Sequence, residues 1–135
     1  MAKILTFGTF DIVHKGHEYY LQKAKKFGNE LIVIIARDKN VLLERGKQPL
    51  NHETKRKEHV ELLNIADKVM LGYEDNRLRI IQELKPDIIC LGYDQNSLSV
   101  EKFIVDNNLD IKIVRIDAFK PEIFKSSKFK IIGSM

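Results

Sequence analysis

Five apolar runs punctuate the chain, at Ile4–Phe7, Leu31–Ala36, Val69–Leu71, Asp87–Leu91 and Ile111–Ile116. They are dominated by isoleucine, valine and leucine without regular polar alternation, the pattern of strands buried on both faces of a parallel sheet. Between them lie segments with helical patterning: Glu18–Phe27, Glu53–Asn64, Asn76–Leu84 and a stretch around Val100–Asn107. In the second of these, Val60, Leu62, Leu63 and Ile65 supply an apolar face, which leaves Lys55 and Lys57 as solvated helix surface. Strands that alternate with helices through right-handed crossovers predict an α/β fold, a Rossmann-like three-layer sandwich around a five-stranded parallel sheet. Local punctuation agrees with these boundaries. Gly28-Asn29 closes the first helix, Pro49 precedes Asn51 as a candidate N-cap, and Lys85-Pro86-Asp87 separates a helix from the fourth strand. The final stretch, Phe124–Ile132, reads as a short basic helix opening at Ser126-Ser127, with Gly133-Ser134-Met135 frayed beyond it.

With 135 residues, of which 44% are hydrophobic, the chain is expected to form one domain over residues 1–135 with a substantial core. It opens on a strand and has no apolar stretch of membrane-spanning length, so a soluble, cytoplasmic protein without a membrane partner is expected. A single cysteine, Cys90, excludes an internal disulfide, suits a reducing compartment, and sits mid-strand among Ile88, Ile89 and Leu91 as core. The net charge of +4 comes from basic residues interleaved with acids, a distribution that suits small anionic substrates better than nucleic acid.

The chemistry concentrates at the first strand-to-helix junction, Gly8-Thr9-Phe10-Asp11-Ile12-Val13-His14-Lys15-Gly16-His17. A helix N-terminus attracts phosphate through its N–H groups and dipole, and Gly8 and Gly16 let the backbone approach an anion closely. His14 and His17 add side-chain donors and Lys15 a full positive charge. The spacing matches neither G-x-G-x-x-G nor G-x-x-x-x-G-K-[ST], so a different nucleotide chemistry is implied. Two alternatives accompany this reading. A metal pair would need further ligands at zinc spacing, which are missing, and Lys15 would repel the cation; an incidental helix cap leaves the two glycines unexplained. Asp11 is assigned to holding the turn together. In parallel sheets ligands bind beyond the carboxyl ends of the strands, where Arg37-Asp38 and Gly92-Tyr93-Asp94-Gln95-Asn96 also fall. Asp94 there suits either a ribose contact or the cap of the next helix.

The H-x-G-H element after G-T-F-D resembles the signature of a nucleotidyltransferase superfamily that includes glycerol-3-phosphate cytidylyltransferase. Over nearly its full length the chain is most similar to the archaeal FAD synthases. Leu31–Asp38 (L-I-V-I-I-A-R-D), Glu83–Gln95 (E-L-K-P-D-I-I-C-L-G-Y-D-Q), Val114-Arg115 and Ser126-Ser127-Lys128 carry that resemblance. It departs at Phe119–Ser127, where the cytidylyltransferases read R-T-E-G-I-S-T and where the archaeal enzymes carry two cysteines; this chain has Pro121 and Phe124 there. By resemblance, Gly8, Thr9, Phe10 and Gly16 approach the nucleotide through their backbone, and His14, His17 and Lys15 stabilise charge on its triphosphate. Ser126 and Ser127 close on the same phosphates, Arg56 reaches into the site, and Asp94 and Asn96 hold ribose or base. Arg45 and Lys47 lie in a loop where relatives place a phosphate-contacting lysine.

The resemblance implies transfer of a nucleotidyl group to a phosphorylated acceptor with release of pyrophosphate, first of all ATP and FMN giving FAD. Two other readings stay open: CTP with glycerol 3-phosphate or a similar phosphorylated alcohol, and a nucleotide-binding regulatory module without turnover. Mg²⁺ is expected to arrive on the triphosphate, since the sequence shows no carboxylate cage. A homodimer is compatible with the family pattern.

Overall fold

The computed structural model describes residues 2–119, so the basic helix expected over 124–132 and the Ser126-Ser127 pair lie outside the described residues. Ten elements follow in order: β1 (Lys3–Gly8), α1 (Lys15–Lys25), β2 (Glu30–Ile35), α2 (Asp38–Arg45), α3 (Glu53–Leu62), β3 (Lys68–Leu71), α4 (Arg79–Leu84), β4 (Ile88–Gly92), α5 (Leu98–Asp106) and β5 (Lys112–Ile116). The strands form one five-stranded sheet in the order β3-β2-β1-β4-β5. Every pairing is parallel. The chain thus winds outward from β1 in one direction and then in the other, and the order reverses between β1 and β4.

Alternation along the strands divides the core into two layers. Ile4, Leu31, Val33, Ile35 and Cys90 pack on one face against Leu21 and Ala24 of α1 and Val60 of α3. Leu5, Ile32, Ile34, Ile89 and Leu91 face the other way, onto Ile80 and Ile81 of α4 and Val100 of α5. A parallel sheet covered on both faces needs apolar residues at consecutive positions, which explains the unbroken runs in the sequence. Each fully buried isoleucine or leucine contributes roughly 1.5–3 kcal/mol of transfer free energy.

Four sequence expectations are corrected. Helix α1 starts at Lys15 rather than Glu18, with His14 as its N-cap. Helix α3 is capped by the His52 side chain, not by Asn51. Helix α4 begins at Arg79 because Asn76, expected to open it, sits in the left-handed region at φ 43°. Helix α2 had no counterpart in the sequence reading, which treated Arg45 as loop. It buries only Val41 and leaves Leu43 exposed, too weak a periodicity to stand out. Arg45 is its last residue, and Lys47 follows in an exposed segment.

Cys90 lies on β4 in the first layer with no exposed surface, and burial pushes its thiol up to about 11. The thiolate is the reactive form. Iodoacetamide at neutral pH is therefore expected to label Cys90 only after denaturation, as read by intact mass. Labelling in native buffer as fast as in denaturant would contradict this placement. Among the described residues, no helix is long and apolar enough to cross a membrane.

Candidate active site

Strand order reverses between β1 and β4, and there the loops beyond the two strands diverge and leave a cleft. It measures about 890 Å³ and is lined by the Gly8–His17 turn, Tyr20, Arg45, the Gly92–Gln95 turn and Ile116–Phe119. Gln95 spans the reversal: its side chain donates to the Phe7 carbonyl (3.0 Å) and accepts from Gly92 N–H (2.6 Å). Arg115 on β5 fixes the same turn from behind, donating to the carbonyls of Gly92 (2.8 Å) and Gln95 (2.6 Å).

The two histidines are held by reciprocal backbone bonds at the start of α1. His14 Nδ1 accepts from Gly16 N–H (3.0 Å), and His17 Nδ1 accepts from His14 N–H (3.2 Å). Each Nδ1 is thereby an acceptor, so in each neutral ring the proton resides on Nε2. The first turn therefore differs from the sequence expectation of free backbone N–H groups. Two of its N–H groups are spent on imidazoles, which present Nε2–H donors instead. The rings lie 4.1 Å apart, centroid to centroid. Burial and then the neighbouring His14 lower the His17 pKa from 6.5 to about 4. His17 is consequently a neutral donor at physiological pH.

Both glycines of the motif are required by close contacts. A Cβ on Gly16 would stand 2.8 Å from His14 Cε1, and one on Gly8 would stand 2.4 Å from the Phe10 ring. Phe10 itself adopts φ 53°, costly for a bulky residue, and is held there by burial of its ring. That ring packs 5.1 Å from His17, so Gly8 supports the position of the His17 ring through Phe10.

Arg56 is repositioned relative to expectation. It does not line the cleft; it lies fully buried beneath the turn. Its guanidinium donates to the Thr9 carbonyl (2.8 Å), the Asn51 carbonyl (2.9 Å) and Asp38 Oδ1 (2.6 Å). Burial alone would raise the Asp38 carboxyl, but Arg56 and the Glu53 region outweigh it and the pKa falls. Asp38 and Glu53 also cap each other's helices: Asp38 N–H donates to Glu53 Oε1 (2.8 Å), and Glu53 N–H to Asp38 Oδ2 (3.3 Å). Asp11 performs the turn-holding role, accepting from Leu50 N–H and Asn51 N–H, both at 2.8 Å.

The remaining sequence candidates are dispersed. Lys15 and Asp94 are exposed and line the cleft. Asn96 lines an adjacent, smaller cavity and spends its Oδ1 on Leu98 N–H (2.8 Å) at the start of α5, whose N-cap residue is Ser97 rather than Asp94. Arg45, with Nη2 3.4 Å from Thr9 Oγ1, lines both cavities. Gln95, Arg115 and Asp38 lie in segments that the sequence singled out, but the bonds of Gln95 and Arg115 across the turn and the Asp38–Glu53 exchange were not read from it; acidic first residues on two successive helices were the hint of the last. Among the described residues, no three His, Cys, Asp or Glu side chains gather as a metal site.

The low pKa of His17 has a thermodynamic consequence. Between pH 4 and 6.5 the unfolded chain binds a proton at this position that the folded chain does not, so its contribution to stability rises with pH across that window and falls on acidification. In ¹³C-labelled protein the His17 Cε1 resonance is expected to titrate below pH 5. A midpoint near 6.5 would contradict the burial of this ring.

A parallel sheet whose order reverses at a cleft, with an H-x-G-H turn at its mouth, defines an α/β nucleotide-site architecture. Residues 5–130 match the family described as cytidylyltransferase-like, and the chain belongs to that family. It is 42% identical over 130 residues to an FAD synthase of Picrophilus torridus, covering 95% of this chain and 93% of that one. It is 44% identical over 134 residues to an FAD synthase of Archaeoglobus profundus, covering 98% and 84%. A solved structure described as a lipopolysaccharide core biosynthesis protein from Thermoplasma volcanium matches with a TM-score of 0.80 at 38% identity, over 88% of this chain and 98% of that one.

Proposed function

We propose that this chain is an FMN adenylyltransferase, joining ATP and FMN to give FAD and pyrophosphate. The observation that carries the reading is the pair of imidazoles at the start of α1, both with Nδ1 on backbone N–H groups and Nε2–H left to donate. The similarity to archaeal proteins named FAD synthase supports the choice of substrates.

In this reaction an oxygen of the FMN phosphate attacks the α-phosphorus of ATP. The bond from that phosphorus to the bridging oxygen breaks, and pyrophosphate leaves with the electron pair. Little covalent chemistry falls to the protein, which positions two anions and offsets the charge that develops between them. His14 and His17 donate to triphosphate oxygens, Lys15 adds charge at the cleft rim, and Gly8, Thr9, Phe10 and Gly16 shape the backbone against the phosphates. Asp94 is assigned to the nucleoside. Arg56 is assigned as a positioning residue that fixes the Thr9 carbonyl.

A divalent cation, Mg²⁺ in the first instance, fits this donor set only as a companion of the triphosphate. Asp11, the carboxylate within the turn, has both oxygens on backbone N–H groups and no arrangement for a cage. When bound, the ion supplies charge neutralisation on the phosphates.

The test is a matrix of ATP, CTP, GTP and UTP against FMN and glycerol 3-phosphate with Mg²⁺, read by pyrophosphate release. ATP with FMN is expected to give the turnover. Release with CTP and glycerol 3-phosphate would favour a cytidylyltransferase, and binding without release in every pair a regulatory module.

A further inference from the structure

On the β2–β3 side of the Gly8–Thr9 turn lies the second cavity, of about 460 Å³, within the size range of small-molecule sites. It shares Phe7, Gly8, Thr9, Arg45 and Gln95 with the main cleft. An α-phosphorus held at the H-x-G-H turn is attacked from the side opposite its departing pyrophosphate, and the second cavity adjoins that turn from outside the main cleft. Arg45, common to both cavities and with Nη2 3.4 Å from Thr9 Oγ1, offers its guanidinium to a phosphate at their shared edge.

The wall of this second cavity contains Asn40. Its Nδ2 donates to the Glu74 carbonyl (3.1 Å), which fixes the orientation of the amide. Its Oδ1 is buried and has no donor, the only buried side-chain nitrogen or oxygen so left among the described residues. A buried acceptor without a partner is costly, and such exceptions call for a cause. Asn40 and Arg45 belong to one helix, about 7.5 Å apart along its axis, and both line this cavity, so one ligand seated there can reach both.

We infer that Asn40 is a specificity residue for the acceptor, its Oδ1 taking a ring N–H of the molecule seated in the second cavity. The inference rests on the flavin reading above. Oxidised isoalloxazine carries one N–H, the imide at N3, flanked by two carbonyls. With the FMN phosphate at Arg45 and the ring toward Asn40, that N–H supplies the donor Oδ1 lacks. An acceptor with no donor at that position, as in a flavin methylated at N3, leaves the oxygen unpaired and is disfavoured for that reason.

The experiment compares FMN with N3-methyl-FMN as acceptors for the wild-type protein and for Asn40→Leu, with ATP and Mg²⁺, and resolves the dinucleotide products by chromatography. For the wild type, kcat/KM with the methylated flavin is expected to fall at least about tenfold, mainly through KM. Asn40→Leu is expected to lose at least about tenfold with FMN, to keep the wild-type KM for ATP, and to use both flavins alike. Equal use of the two flavins by the wild type overturns the inference, even if the variant fails to fold. A folded variant that keeps the wild-type preference overturns it as well. The two readings fail differently: no FAD from ATP and FMN overturns the flavin reading and this inference together, whereas FAD formed without preference at N3 overturns this inference alone.

Discussion

Replacing His17 by alanine is expected to lower kcat for adenylyl transfer by about a hundred- to a thousandfold, with ATP affinity changed little. The ring is neutral at pH 7 because burial and His14 hold its pKa at about 4, so it offers a dipole rather than a charge. A neutral donor adds modestly to ground-state binding of a triphosphate, which Lys15 and the helix dipole already attract. Its value grows as negative charge develops on the departing pyrophosphate, because Nε2–H is already oriented by the His14 N–H bond to Nδ1. The substitution also removes half of the reciprocal cap on α1, costing about 1 kcal/mol of stability, so unfolding is measured beside turnover. His59, which lines neither cavity, is the suitable control and should leave kcat unchanged. His52 is not suitable, because its side chain caps α3. Near-normal kcat in His17→Ala would remove this residue from the chemistry.

Arg56→Ala is expected to destabilise the protein by about 3–5 kcal/mol, a large share of the roughly 5–15 kcal/mol available to a domain. The loss goes beyond one ion pair. Without the guanidinium, the carbonyls of Thr9 and Asn51 lose their donor and Asp38 keeps a mostly buried carboxylate without its partner. Arg56→Lys is expected to recover only part of the loss, since an ammonium cannot span three acceptors in the plane of a guanidinium. Urea unfolding measures this directly: the midpoint should fall steeply with little change in slope. A loss below about 1 kcal/mol would show that the turn over β1 is held by other contacts. Because Thr9 leads into the strained Phe10 and on to His17, the folded fraction of Arg56→Ala should also turn over more slowly.

The sheet was legible because burial on both faces leaves little room for polar residues: Leu31–Ala36 states that constraint in consecutive letters, and Thr6, the one polar residue of Ile4–Phe7, is buried with its hydroxyl paired to Tyr20. The turn was legible because Gly8, His14, Gly16 and His17 each meet a steric or hydrogen-bonding demand that few other residues satisfy. The structural role of Arg56 was not: the resemblance has it reach into the site, whereas its burial beneath the turn depends on Thr9 and Asp38, which the fold brings to it from two other segments. Helix α2 escaped notice because one buried residue, Val41, carries no periodicity. The unpaired oxygen of Asn40 leaves no trace in sequence at all, since what distinguishes it is the absence of a neighbour.

The most direct test of the adenylyltransferase assignment follows the phosphorus. Purified protein is incubated with Mg²⁺, FMN and ATP labelled with ³²P at the α-position, and the products are separated. The label is expected in FAD, one labelled phosphorus per flavin, with unlabelled pyrophosphate formed in equal amount. Label that stays in ATP, or appears only in a flavin-free product such as free AMP, would contradict the assignment.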